Sequence, residues 1–229
     1  MKRTTPFLAA PDIRRPKPEV PMQHQTDHLL LPAGYFQSAD VPGLARDLLG
    51  KFLLSSVGGE VCGGMIVETE AYRGPDDKAC HAWGNRRTKR TEVMFGPGGH
   101  AYVYLCYGIH HLFNIVTGEE GAPHAVLVRA LEPTDNPSLM QRRRRLERLE
   151  RRLTAGPGML TQALGIDLRH NGARLSEPGS PLWLEDRGVR WPDSQVMTSP
   201  RVGVSYAGAC AAWPWRFRIR DNRWTSPVE

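Results

Sequence analysis

The sequence predicts a single α+β domain, on three observations. Apolar residues make up 40% of 229 residues, enough for a real core at a length that suits one large domain or two small ones. Strand-like runs recur in both halves of the chain without the regular strand–helix alternation of a parallel doubly wound sheet. After residue 29 the chain shows no internal repeat and no strong linker.

The elements follow in order. Residues 1–28 hold five prolines, five Lys/Arg and few apolar side chains. They bury too little to offset ordering entropy and read as a flexible, mildly basic tail before a domain at 29–229. Asp40-Val41-Pro42 followed by Leu44, Leu48, Leu49 and Gly50 reads as a capped amphipathic helix. Runs 51–57 and 61–70, parted by Gly58-Gly59, predict a hairpin. A second hairpin is expected from 101–107 and 112–117 around Gly108, and 125–131 is a further buried strand. Residues 134–153 predict one long helix, and another is expected after Gly156-Pro157-Gly158. Short strands are expected at 182–185, 201–205 and 216–220.

Composition then narrows the class. The net charge of +6 and pI near 9.4 suit an anionic partner such as nucleic acid or a membrane surface, although many basic proteins bind neither. No stretch approaches the roughly 18 apolar residues of a spanning helix, and the mean hydropathy is −0.43. The apolar run Phe7-Leu8-Ala9-Ala10 is too short for a signal-peptide core. Cys62, Cys80, Cys106 and Cys210 are scattered without a C-x-x-C pair. A reduced, cytoplasmic protein is expected.

Several clusters have both a chemical and an ordinary reading. Arg142-Arg143-Arg144-Arg145, continued by Arg148, Arg151 and Arg152, reads as a nucleic-acid patch. Glu147 and Glu150 interrupt it, and Leu139, Leu146, Leu149 and Leu153 lie near one helical face, so a docked helix with a solvated basic side is favoured. Glu68 and Glu70 point to one face of an extended strand. Beside Tyr72 they suit acid–base chemistry or a salt-bridged strand end. Tyr102, Tyr104 and Tyr107 crowd into six residues. Core packing accounts for one or two, while a ring at the turn before Gly108 suits a wedge into stacked bases. The glycines of Phe95-Gly96-Pro97-Gly98-Gly99-His100 serve close backbone approach or ordinary turns equally well. Cys80-His81, Cys106 and His110-His111 lack metal-ligand spacing, so no metal is expected. Walker, Rossmann and G-x-S-x-G patterns are absent, which excludes the nucleotide and serine-esterase chemistries that use them.

In order along the chain come 66–72, Gly74-Pro75, His81, Met94-Phe95, Tyr102-Val103-Tyr104, Tyr107-Gly108, Asn114 and Arg129-Ala130-Leu131-Glu132-Pro133. Gly156-Pro157, Leu160, Gln162-Ala163-Leu164, Trp183-Leu184-Glu185, Arg201-Val202-Gly203-Val204 and Arg216-Phe217 continue the series. Together they resemble the alkyladenine (3-methyladenine) DNA glycosylase family, over about residues 40 to 225.

The resemblance implies a compact mixed domain around a curved antiparallel sheet, with a protruding hairpin that enters the DNA minor groove. It implies hydrolysis of the N-glycosidic bond of alkylated or deaminated purines after nucleotide flipping, leaving an abasic site. Tyr107 matches the intercalating residue, and Tyr72, His81 and Tyr104 match the rings that sandwich the flipped base. Glu70 matches the general base, Arg129 and the carbonyl of Val202 the holders of the attacking water, and Asn114 the guard against guanine's exocyclic amine. Glu68 is expected to be structural, paired with a nearby arginine. The expected partner is damaged duplex DNA, with no cofactor, no membrane and a monomeric protein. Departures at Ile109, His110-His111 and 118–123 bear on lesion range rather than reaction type. The alternatives are a non-catalytic protein that binds distorted duplex, and an RNA or nucleoside N-glycosidase.

Overall fold

The two long apolar runs become the two longest strands, β2 (Cys62–Arg73) and β5 (His124–Asp135), which pair antiparallel almost end to end. The computed structural model describes residues 29–226; the expected tail at 1–28 lies outside them, as do 227–229. Around this central pair stand β1 (Phe52–Ser55), β3 (Ala101–Cys106), β4 (His110–Thr117), β6 (Leu182–Glu185), β7 (Val196–Ser199) and β8 (Arg216–Ile219). The sheet runs β3-β4-β5-β2-β1-β6, and β8 joins β2 to β7. One edge of β2 is shared: β1 takes residues 62–65 and β8 takes residues 68–70, so the eight-stranded sheet curls on itself. All pairings are antiparallel, within a single compact α+β domain.

The sheet buries both faces. On one, Ile66, Val103, Phe113, Ile115, Val126 and Val128 form the main core with helix α1 (Val41–Asp47) and helix α3 (Pro157–Leu164), through Leu44, Leu48, Leu160 and Leu164. Truncating a fully buried ring such as Phe113 costs about 3–5 kcal/mol. On the other face Tyr102, Val116 and Ala125 are covered by Cys80, Met94 and Phe95 from the long connection between β2 and β3. This second, smaller cluster frames the site.

Local chemistry explains where the helices begin. The Asp40 carboxylate accepts from Gly43 N at 3.0 Å, with a proline in the first turn, as the sequence pattern predicts. Asn136 caps α2 (Pro137–Arg144) in the same way through Leu139 N at 3.2 Å.

Three expectations are corrected. The long helix at 134–153 stops at Arg144 because Arg145 adopts a left-handed φ of 54° and returns its N–H to Arg142 O. A loop and a short 3-10 turn at Arg151–Leu153 follow. The basic side is not simply solvated either. Arg142 binds Glu60 at 3.1 Å, and Arg144 reaches Gln162 and Arg152 O. Arg143 donates to Val57 O, Cys62 Sγ and Ala163 O, tying α2 to the start of β2 and the end of α3. Finally, 201–205 is not a strand: Gly203 at φ 72° turns the chain into a 3-10 segment, Ser205–Ala212, while the strand at Val196–Ser199 was not expected.

Candidate active site

Strand register assembles the site before any side-chain contact is considered. Glu70 opposes Leu127, Leu127 opposes Asn114, and Asn114 opposes Tyr102, so one row crosses four strands on one sheet face. Alternation adds Tyr72 and Tyr104 to that face. Thr69 opposes Val128 but Glu68 opposes Ala130, which leaves Arg129 as the extra residue of a β-bulge beside the two carboxylates.

Of these residues Tyr72, Tyr102, Tyr104, Asn114, Leu127 and Arg129 border a cavity of about 630 Å³, within the range of small-molecule sites. Tyr72, His81, Tyr104, Asn114, Arg129 and Val202 all line it. The aromatic wall is held by mutual contacts. His81 meets Tyr104 edge-on at 4.7 Å between centroids, and its Nδ1 lies 2.8 Å from the Tyr102 hydroxyl. Burial, then the nearby Arg90 charge, lowers the His81 pKa to about 4, so this ring is neutral at neutral pH. Behind Tyr72, the Arg201 guanidinium sits 4.8 Å from the ring centroid and is itself bound to buried Asp77 at 2.9 Å. Asn114 donates its Nδ2 to Tyr102 O at 3.1 Å, which fixes the orientation of its amide.

Glu70 is fully buried, immediately behind this wall. Its Oε1 accepts from Val202 N at 2.8 Å and lies 3.3 Å from Arg129 Nη1, and its Oε2 accepts from the Tyr72 hydroxyl at 2.7 Å. A carboxylate has about four acceptor positions. Among the described residues Oε2 accepts only from Tyr72, which leaves one position there. Burial and the Glu70 charge together push the Tyr72 hydroxyl well above its ordinary pKa, so it stays a donor to that carboxylate. Glu68 is a structural anchor. It binds Arg129 Nε at 3.0 Å, Arg216 Nε at 2.8 Å and Ser226 N at 2.6 Å. Burial opposes its ionisation, but Arg129, Arg216 and Ser226 outweigh that and hold its carboxyl below the usual range. Arg129 therefore bridges the two carboxylates.

The hairpin of β3 and β4 carries Tyr107 at its tip, 90% exposed, with Ile109 72% exposed beside it. Tyr107 and Gly108 both have positive φ, 50° and 72°, and Ile109 N closes the turn on Cys106 O at 3.1 Å. A tyrosine in the left-handed region costs roughly 1–3 kcal/mol, and among the described residues this ring finds little packing to offset it. Gly158 lets the first turn of α3 lie on the hairpin, since a Cβ there would come within 2.9 Å of His110.

Register and hydrogen bonding thus bring together Glu70, Tyr72, His81, Tyr104, Asn114, Arg129 and Val202, with Tyr107 on the rim. Sequence reasoning passed over Arg90, Tyr206 and Met159, which also line the cavity, and the Arg201–Asp77 pair behind it. The basic cluster Arg86, Arg87, Lys89 and Arg90 was the legible signal for the first. Among the described residues no group of three or more His, Cys, Asp and Glu is placed to hold a metal, and the four cysteines are free thiols.

Comparison with known proteins places this domain among the DNA N-glycosylases. A sequence model of the family described as Methylpurine-DNA glycosylase (MPG) matches residues 35–223. A protein of Chlamydia felis is 43% identical over 195 residues, covering 85% of this chain and 98% of its own length. One from Chlamydia pneumoniae is 46% identical over 191 residues, with 83% and 95% covered. Another, from Bacillus cytotoxicus, is 43% identical over 203 residues, with 83% and 97% covered. All three carry the provisional name 3-methyladenine DNA glycosylase. The chain belongs to the methylpurine-DNA glycosylase family.

Proposed function

We propose that this enzyme excises alkylated and deaminated purines, of the 3-methyladenine, 7-methylguanine, hypoxanthine and ethenoadenine class, from duplex DNA by a monofunctional, water-dependent route. A base inside a duplex is out of reach, so the nucleotide swings out, the base stacks in the aromatic cavity, and a side chain fills the gap. Tyr107 supplies that wedge, and Tyr72, His81 and Tyr104 receive the base. An electron-rich aromatic slot favours a cationic alkylpurine over a neutral normal one. Asn114 disfavours the exocyclic amine of guanine.

The observation that carries the reading is a buried carboxylate with one open acceptor position behind an aromatic cavity whose rim carries a strained, exposed tyrosine. Glu70 takes a proton from water as the water attacks the sugar C1′, the glycosidic bond breaks, and its electron pair leaves with the base. The same negative charge stabilises the oxocarbenium-like transition state. Arg129, tied to both carboxylates, and the carbonyl of Val202 hold the water. No amine is assigned to a Schiff base, so the product is an intact abasic site. The protein acts on DNA as a monomer, in the cytoplasm at the nucleoid if the cell is bacterial and in the nucleus if it is eukaryotic.

The test is incubation with duplex oligonucleotides bearing each lesion, scored as alkali-labile sites. Cleavage only after alkali, at the lesion, is expected. Binding to every duplex without base release would favour a distortion-binding protein, and faster release from free nucleosides would favour a nucleoside hydrolase.

A further inference from the structure

Arg90 belongs to none of the roles assigned so far, yet it lies in the base cavity. It extends from an exposed loop to place its guanidinium 4.6 Å from the Tyr104 ring centroid, with Nη2 3.1 Å from His81 Nε2. A guanidinium is only a donor, so Nε2 is the acceptor and the neutral ring carries its proton on Nδ1, directed to the Tyr102 hydroxyl. The cation therefore covers one ring of the proposed base slot and engages the polar atom of another. Its loop is basic. Arg87 pairs with Glu92, but Arg86, Lys89 and Arg90 have no carboxylate partner among the described residues.

We propose that Arg90 is a displaceable occupant of the base slot that makes the enzyme select a base delivered on DNA over a free base. This rests on the cavity being the base site. In the free protein the guanidinium stacks on Tyr104, and an entering base competes with it for the same ring. A duplex supplies what a free base lacks, a phosphate at the cavity mouth, where a fork of five N–H donors binds better than it does over a ring. Engagement of the backbone draws Arg90 out as the base comes in. A free base, including the released product, receives no such help and binds weakly.

Arg90→Met keeps the stem and removes the charge, at an exposed position where folding is insensitive. Two quantities are measured beside wild type: the affinity of free 3-methyladenine by calorimetry, and the affinity of a hypoxanthine duplex across a salt series. The expected result is opposite in sign for the two ligands. Free base binds about 3- to 30-fold tighter to the variant, while duplex binding weakens and its log–log salt slope shallows by about 0.9, one phosphate. Arg90→Gln, which retains a donor for His81 without charge, shows the same shallower slope. Unchanged or weaker free-base binding makes Arg90 a fixed part of the wall and overturns the proposal, as does an unchanged salt slope. Wild-type base release from the lesion duplex is scored in parallel. Its absence defeats the glycosylase reading itself, whereas its presence with both affinities unmoved defeats only the role of Arg90.

Discussion

At the scale of single residues, the most informative are those whose environment runs against their chemistry. Tyr107 is a large ring left in water on a left-handed backbone. Tyr107→Ser should lower excision from duplex far more than from single strands, because only a duplex has a gap to fill. Its melting temperature should match wild type; a large drop would make Tyr107 a packing residue. Asn114 is the reverse case, a buried amide tied to Tyr102 O. Asn114→Ser opens the cavity floor and deletes that bond, so rejection of 2-aminopurine bases should relax while stability falls by about 1 kcal/mol. Unchanged relative activity on guanine-derived and hypoxanthine-derived lesions, with only the stability loss, would reduce Asn114 to scaffold.

Elements show where sequence patterns were sufficient and where three dimensions decided. Both hairpins, 51–57 with 61–70 and 101–107 with 112–117, were legible because glycine turns punctuate apolar runs, and they match β1–β2 and β3–β4. The helix at 134–153 was misread because its leucines recur at helical spacing while the stop signal, Arg145 in a left-handed cap, is a residue type rarely found there. The arginine run misled for a related reason: its charge is visible in sequence, but the partners of Arg142, Arg143 and Arg144 lie 8 to 86 residues away. Arg143→Met should therefore destabilise the fold by about 1–3 kcal/mol, since Val57 O and Ala163 O lose a half-buried charged donor. Duplex affinity at fixed folded fraction should not change. Weaker DNA binding without destabilisation would restore the nucleic-acid reading of this helix. At the site, the residue pattern exposed the Glu68–Glu70 pair and the tyrosines, and the resemblance supplied their division of labour. Arg90 stayed hidden because its significance lies in a loop folding back over rings 9 and 14 residues distant.

For the whole molecule, charge links stability and binding to solution conditions. One buried and one half-buried group tie the fold to pH. The His81 pKa falls from 6.5 to about 4 on folding, so the unfolded chain binds the proton more readily and stability drains as pH falls from 6.5 towards 4. Glu68 is also lowered, from 4.5. Its contribution is complete above that value and disappears as pH falls through its folded pKa. Denaturant melts across this range should show stability declining below pH 6.5, less steeply for His81→Gln. A flat profile to pH 4 would contradict the half-buried neutral imidazole. The net charge of +6 predicts duplex binding whose log–log salt slope is about −0.9 per phosphate neutralised. Salt-independent binding would remove the electrostatic part of recognition.

The central claim is that Glu70, held by Tyr72, Arg129 and Val202, activates water at a base swung into the aromatic cavity. Single-turnover excision of hypoxanthine from a duplex by Glu70→Gln, measured with lesion-duplex affinity on the same preparation, tests it most directly. The substitution preserves shape while removing the base and the negative charge. Excision should fall about 100-fold or more, with affinity within a few-fold of wild type and no adduct trapped by borohydride in either protein. Near-normal excision by Glu70→Gln, or a borohydride-trapped adduct with wild type, would contradict the account.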